Sequence, residues 1–188
     1  MPHVHGQELS FKDTVTAYNT SRLKTNVRGM DVLGAWGIVN IAGGGIGYFT
    51  AKEAEWKYFG EMNFIWGVVN TGIAAMGMAG VRKEMAKHYN YQQAYDRYKA
   101  TKKLYLINAG LDVVYIGAGI GLYEYSTSTK NNKPIYSGFG KSLVLQGVFL
   151  LIFDNVMFAS HQKNNSKWFQ LMNEINISNR GLGFNHSF

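Results

Sequence analysis

Four long apolar stretches are separated by polar connectors: roughly Met30 to Thr50, Met62 to Val81, Leu104 to Tyr123 and Ser142 to Ala159. Each is near the ~20 residues that carry a helix across a bilayer. None contains proline, since the only prolines are Pro2 and Pro134, so nothing forces a kink. The pattern predicts an all-α membrane protein: an antiparallel four-helix transmembrane bundle with amphipathic interfacial helices at both termini.

The connectors refine this reading. Ser10 to Val27 reads as an amphipathic helix, with Ser10 and Asp13 as a capping pair. Phe11, Val15 and Tyr18 form its apolar side, and Arg22, Lys24 and Arg28 its basic side, which suits a membrane surface or packing on the protein itself. Lys52 to Glu61 is short and mixed in charge. Arg82 to Lys103 reads as a helical hairpin, because Tyr91, Tyr95 and Tyr98 recur at i, i+4, i+7. Ser126 to Gly140, holding Lys130, Lys133 and Pro134, reads as a loop. In the tail, Trp168, Leu171, Met172 and Ile175 make a second amphipathic stripe. The expected division is an N-terminal segment 1–29, a four-helix domain 30–162 and a tail 163–188.

A β-barrel is the competing fold, because Gly and Tyr are abundant, Tyr115 to Ser126 resembles a strand and the chain ends in Phe188. Barrel strands alternate apolar and polar positions over ~10 residues. Leu143 to Phe153 is apolar almost throughout, interrupted by Gln146 and Gly147, so helices are favoured.

Spans one and two share a motif at a shift of 30 residues. Asp31-x4-Trp36-Gly37-Ile38-Val39-Asn40-x6-Gly47 matches Glu61-x4-Trp66-Gly67-Val68-Val69-Asn70-x6-Gly77. Span three echoes it as Asn108-x3-Asp112-x6-Gly119, and span four sets His161 seven residues after Asp154. Seven residues is close to two helical turns, so each set lies on one face. Small residues and interhelical hydrogen bonds drive helix association in lipid. Gly47, Gly77, Gly117, Gly119 and Gly147 are therefore candidate packing positions. The runs Gly43-Gly44-Gly45-Ile46-Gly47 and Gly117-Ala118-Gly119-Ile120-Gly121 follow no strand and match neither phosphate-loop fingerprint. A motif shared by neighbouring, oppositely directed spans suggests inverted-topology pairing, an arrangement in which transporters place their sites near the midplane.

The polar residues inside these stretches carry the functional expectation. Asn40, Asn70, Asp112 and Asp154 fall near the middle of one span each, and an ionisable group in hydrocarbon is a candidate functional site. One layer made of all four is expected. A shared proton or a bound cation would relieve two neighbouring aspartates, and Asn108 and Asn155 add amide groups. His161 is a candidate proton relay or an interfacial cap. Trp36 and Trp66 are candidate pocket-lining residues. A fully satisfied hydrogen-bond network that only sets helix register is the alternative reading of the same side chains.

Composition narrows the field. The chain has 188 residues, with charged residues at 16%, no cysteine and a net charge of +7. Disulfides, thiolate metal centres and cysteine nucleophiles are excluded. The spaced pair His3 and His5 sits in a terminal tag-like run and is given no metal role. No cofactor is indicated, no metal site is expected, and no nucleophile–base pair or kinase signature is visible. An enzyme acting on a lipid or quinone is the third functional reading, behind ligand or ion translocation and a non-catalytic assembly subunit. Of the 19 Lys and Arg, four lie in the N-terminal segment, seven in the second loop and three in the tail. The positive-inside rule then places both termini in the cytoplasm, as in a bacterial inner membrane. No nucleic-acid motif is present. The expected partners are the bilayer and either further copies of the chain or a membrane partner subunit. No apolar signal-peptide core precedes Met30.

Overall fold

The computed structural model describes the backbone of residues 3–179, and the side chains of residues 12–166, Trp168 and Gln170. The expected contributions of Phe11, Leu171, Met172 and Ile175, of His3 and His5, and of the tail beyond residue 179 lie outside these. Four helices account for nearly all of it: α1 (His3–Thr50), α2 (Ala54–Met85), α3 (Tyr91–Ser128) and α4 (Lys133–Asn179). There is no strand among the described residues. All four helices are long and apolar enough to cross a membrane.

The helices outrun the apolar stretches that announce them. At 1.5 Å per residue, the 48 residues of α1 extend for about 72 Å, more than twice a hydrocarbon core of about 30 Å. The basic N-terminal segment and the first span are one unbroken helix. Ser10 lies inside α1 rather than at its start, so the expected capping pair is not a cap. The expected loop from Ser126 to Gly140 shrinks to residues 129–132. Pro134 stands at the second position of α4, where a missing backbone N–H breaks no helical bond. The reversal is completed by Asn132, whose φ of 58° is left-handed, a region asparagine tolerates.

The hairpin between α2 and α3 is helical on both sides of a break at residues 86–90. Asn90 starts α3 with a capping box: its side chain accepts from the Gln93 backbone at 2.9 Å, and the Gln93 side chain accepts from the Asn90 backbone at 3.1 Å. Asn90→Ala is expected to cost about 1 kcal/mol. Faster amide exchange confined to the first turn of α3 would report it, and unchanged exchange there would remove the cap's role.

Packing inverts the usual polarity of a protein core. Asn40, Asn63, Asn70, Asp112, Gln146, Asp154 and His161 are buried, whereas Ile38 is 61%, Val114 62% and Phe49 84% exposed. Apolar surface on this scale marks a contact face for lipid or for another protein.

Glycines set the closest approaches. Gly44 meets Gly60, Gly37 meets Gly67 and Met30 meets Gly77, so residue numbers climb along α1 as they fall along α2. A Cβ on Gly67 would lie 2.6 Å from the Ile41 nitrogen and 2.7 Å from the Gly37 carbonyl oxygen. Gly119 and Gly140 bring α3 and α4 together in the same way. Helix α4 touches all three others, whereas α2 and α3 have no Cα pair within 8 Å. That missing contact leaves a gap on one side of the bundle.

Two cores stack along the axis. Leu33, Ala74, Tyr105, Phe153 and Met157 form one within the spans. Val15, Tyr18, Ala94 and Tyr98, flanked by Tyr89, Tyr91, Tyr95 and Trp168, form the other at the basic end. Burial pushes the Tyr98 hydroxyl above its ordinary titration range. Between the cores, buried Arg22 binds Asn19, Thr101 and Glu84, fastening α1 to α2 and α3. At the opposite end Lys141 pairs with Glu55 and holds its carboxyl below the usual range.

Candidate functional site

The polar residues of the spans form three groups, strung along α4. At the first stands Gln146, with no solvent exposure. Its amide donates to Asn40 Oδ1 at 2.6 Å and to Asn63 Oδ1 at 2.7 Å. Its oxygen accepts from Trp36 Nε1 at 2.9 Å and from Asn70 at 3.3 Å. Asn40 and Asn63 spend their own NH2 groups on the carbonyls of Trp36 and Phe59, one turn back. The Trp36 ring is stacked on Phe149 at 4.0 Å. One glutamine thus joins three asparagines and an indole from two other helices, and every hydrogen-bonding position of its amide is used.

Asp112 and Asp154 form the second group: α3 and α4 bring both, buried, to the lining of one cleft. Asp154 lies eight residues beyond Gln146, about 12 Å along the axis. The expected single layer is therefore two: Asn40 and Asn70 gather on Gln146, and the aspartates sit deeper along α4. The sequence put all four near mid-span, but helix offsets decide which depths coincide.

His161 anchors the third group. It is fully buried rather than capping an interface, its Nε2 is 2.9 Å from Asn26 Oδ1, and its ring lies 5.5 Å from that of Tyr105 at 20°. Its Nδ1 has no partner.

The gap between α2 and α3 is a cleft of about 370 Å³. Trp66, Tyr115, Phe153, Leu33 and Leu111 supply apolar and aromatic walls, and Asn70, Asn108, Asp112 and Asp154 supply the polar groups. Trp66 packs edge-on against Tyr115 at 5.2 Å. Two buried atoms of this lining have no hydrogen-bond partner: Asp112 Oδ2 and Trp66 Nε1. A buried acceptor and a buried donor without protein partners, on residues that line one concave, mostly apolar site, mark it as a candidate ligand position.

The other predicted residues fall elsewhere. Asn155 is exposed and bonds to its own Leu151 carbonyl, so it joins neither layer. Trp36 belongs to the Gln146 network and does not line the cleft. A Cβ on Gly47 would lie 3.7 Å from the Gly60 Cα, Gly77 faces Met30, and Gly147 faces Ile116 and the Asp112 carbonyl. Gly119 meets Gly140, whereas a Cβ on Gly117 would meet nothing within 4 Å among the described residues. Among the described residues, no group of three His, Cys, Asp or Glu side chains is placed to hold a metal ion.

Gln146 is the residue that sequence reasoning passed over. Its signal was present: a single amide inside the otherwise apolar run from Leu143 to Phe153. It reads as an interruption until its four partners are known.

No curated protein and no solved structure matches the chain. One family model does, described as a family of unknown function (DUF6992), over residues 32–155. The matched region contains Gln146 with its asparagines and the whole lining of the cleft, and leaves out Arg22 and His161. It covers about two thirds of the sequence, and the chain belongs to this family.

Proposed function

We propose that the chain is an integral membrane protein, an antiparallel four-helix bundle that binds or translocates a small ligand or ion at the Asp112–Asp154 cleft. The observation that carries this is that two residues lining that cleft, Asp112 and Trp66, each hold a buried polar atom, Oδ2 and Nε1, without a hydrogen-bond partner. The outward apolar faces support insertion in lipid, and the distribution of Lys and Arg supports an inner membrane with both termini cytoplasmic. Two bare carboxylates side by side in hydrocarbon are untenable, so the pair takes a proton or a cationic ligand, and exchange of one for the other is the basis of a proton-linked cycle.

The test is native mass spectrometry of the detergent-purified protein beside Asp112→Asn/Asp154→Asn. The substitution keeps shape and hydrogen bonding and removes charge. A bound species is expected in the wild type and lost from the variant. Identical spectra without an adduct would sink the reading.

The second reading is an assembly subunit of a membrane complex. It is favoured by Gly110, Gly117 and Gly121 on α3, where an added Cβ would meet nothing within 4 Å among the described residues, leaving room for another helix or a second copy. On that reading Asp112→Asn is tolerated, and Gly117→Leu disrupts the oligomer while leaving the isolated bundle folded.

A further inference from the structure

We infer that the ligand of the α2–α3 cleft is a hydrophobic organic cation; the inference rests on the reading of that cleft as a ligand site. Charge is the first argument. The ion pairs among the described residues join Arg22 and Arg97 to Glu84, Lys99 to Asp96 and Lys141 to Glu55. Asp112 and Asp154 take part in none of them, and no Lys, Arg or His lines the cleft. The protein brings two carboxyl groups into an apolar site and supplies no cation for them.

Size and wall chemistry give the second argument. A cleft of about 370 Å³ is far larger than a bare metal ion needs and falls in the range of small-molecule pockets, roughly 300–1,000 Å³. Three aromatic residues, Trp66, Tyr115 and Phe153, line it, and aromatic rings attract a cation as well as its apolar body. Trp66 Nε1, a buried donor on this lining, has no protein partner of its own.

Access is the third. Along the axis, the satisfied Gln146 network lies to one side of the aspartates. On the other, Tyr105 is packed against Phe153 at 6.3 Å and His161 at 5.5 Å. The cleft lies sideways, between α2 and α3, whose backbones have no Cα pair within 8 Å although Trp66 and Tyr115 meet across it at 5.2 Å. A molecule dissolved in the bilayer reaches it without crossing either plug.

The experiment measures binding of tetraphenylphosphonium and of neutral triphenylphosphine oxide to the detergent-purified full chain by equilibrium dialysis. The two share a triphenylphosphorus body and differ in charge and in the fourth substituent, a phenyl group against an oxygen. The wild type is expected to bind the cation at least ten-fold more tightly, and Asp112→Asn/Asp154→Asn to lose that preference. Comparing the two probes on the wild type needs no variant, so the test survives misfolding of the double substitution. Equal affinity for both probes, or cation binding unaffected by the aspartate changes in a folded variant, would overturn the inference. Absence of cation binding while an aspartate-dependent adduct persists in native mass spectra overturns the ligand class and leaves the cleft standing. Absence of both removes the cleft reading as well.

Discussion

Gln146→Leu unfolds far more easily than the wild type. The change removes one side chain and strands four groups: the Oδ1 atoms of Asn40 and Asn63, the Asn70 amide and the Trp36 indole N–H. A buried polar group left without a partner costs about 1–3 kcal/mol in a soluble core. Interhelical hydrogen bonds measured in a membrane protein average lower, about 0.6 kcal/mol, because the unfolded chain in lipid finds other partners. Four such losses place the effect at roughly 2–5 kcal/mol, partly offset by the better fit of leucine to its apolar surroundings. Unfolding of purified protein in mixed micelles of rising dodecyl sulfate, followed by circular dichroism, measures it. The comparison is Asn155→Leu, an exposed position on the same helix, where a small change of either sign is expected. If both variants unfold together, Gln146 does not hold the bundle in register. The same measurement separates the two polar layers: Asp112→Asn keeps hydrogen bonding and is expected to leave stability nearly unchanged while abolishing ligand binding.

The contrast between Gln146 and the aspartates also marks where the sequence stops being informative. Four helices were legible from the lengths of the apolar runs, because hydrocarbon thickness fixes a minimum that a soluble core does not. The ends were not legible. Beyond the apolar runs the helices continue on ordinary propensities, and Pro134 reads as a loop marker although it opens α4. Facing was ambiguous wherever neighbouring candidates differed by one or two positions. Asp154 and Asn155 are about 100° apart on a helix, and one turns inward while the other bonds to its own backbone. Gly117 and Gly119 are about 200° apart, and only Gly119 meets another helix of the chain. Depth was the hardest quantity. The seven-residue steps gave each helix a polar face, but no pattern within one helix says that Asn40 and Asn70 stop at Gln146 while Asp112 meets Asp154. That depends on how far each helix slides past its neighbour, which the glycine contacts set.

Those contacts lead to the second large effect: Gly67→Leu separates α1 from α2. The first atom added at Gly67 would lie 2.6 Å from the Ile41 nitrogen and 2.7 Å from the Gly37 carbonyl oxygen. Both are backbone atoms of a packed helix and have no rotamer to change, so the helices themselves must part. The remaining three carbons of leucine then need space that the pair does not have. Overpacking typically costs 1–3 kcal/mol, and here it acts on the contact that aligns Asn40 and Asn70 with Gln146, so about 3 kcal/mol or more is expected. Gly72→Leu on the same helix is the matched control. Nothing lies within 4 Å of its added carbon. Replacing glycine in a helix by a good helix former is worth roughly 0.5–1 kcal/mol, so that variant is expected to be neutral to slightly more stable. The pair of substitutions changes hydropathy equally and differs only in what the new side chain meets. Equal unfolding midpoints in micelles would therefore mean that the close approach of α1 and α2 contributes nothing. A loss confined to Gly67→Leu, accompanied by release of ligand from the cleft that Asn70 helps to line, would tie the glycine contact to the site it positions.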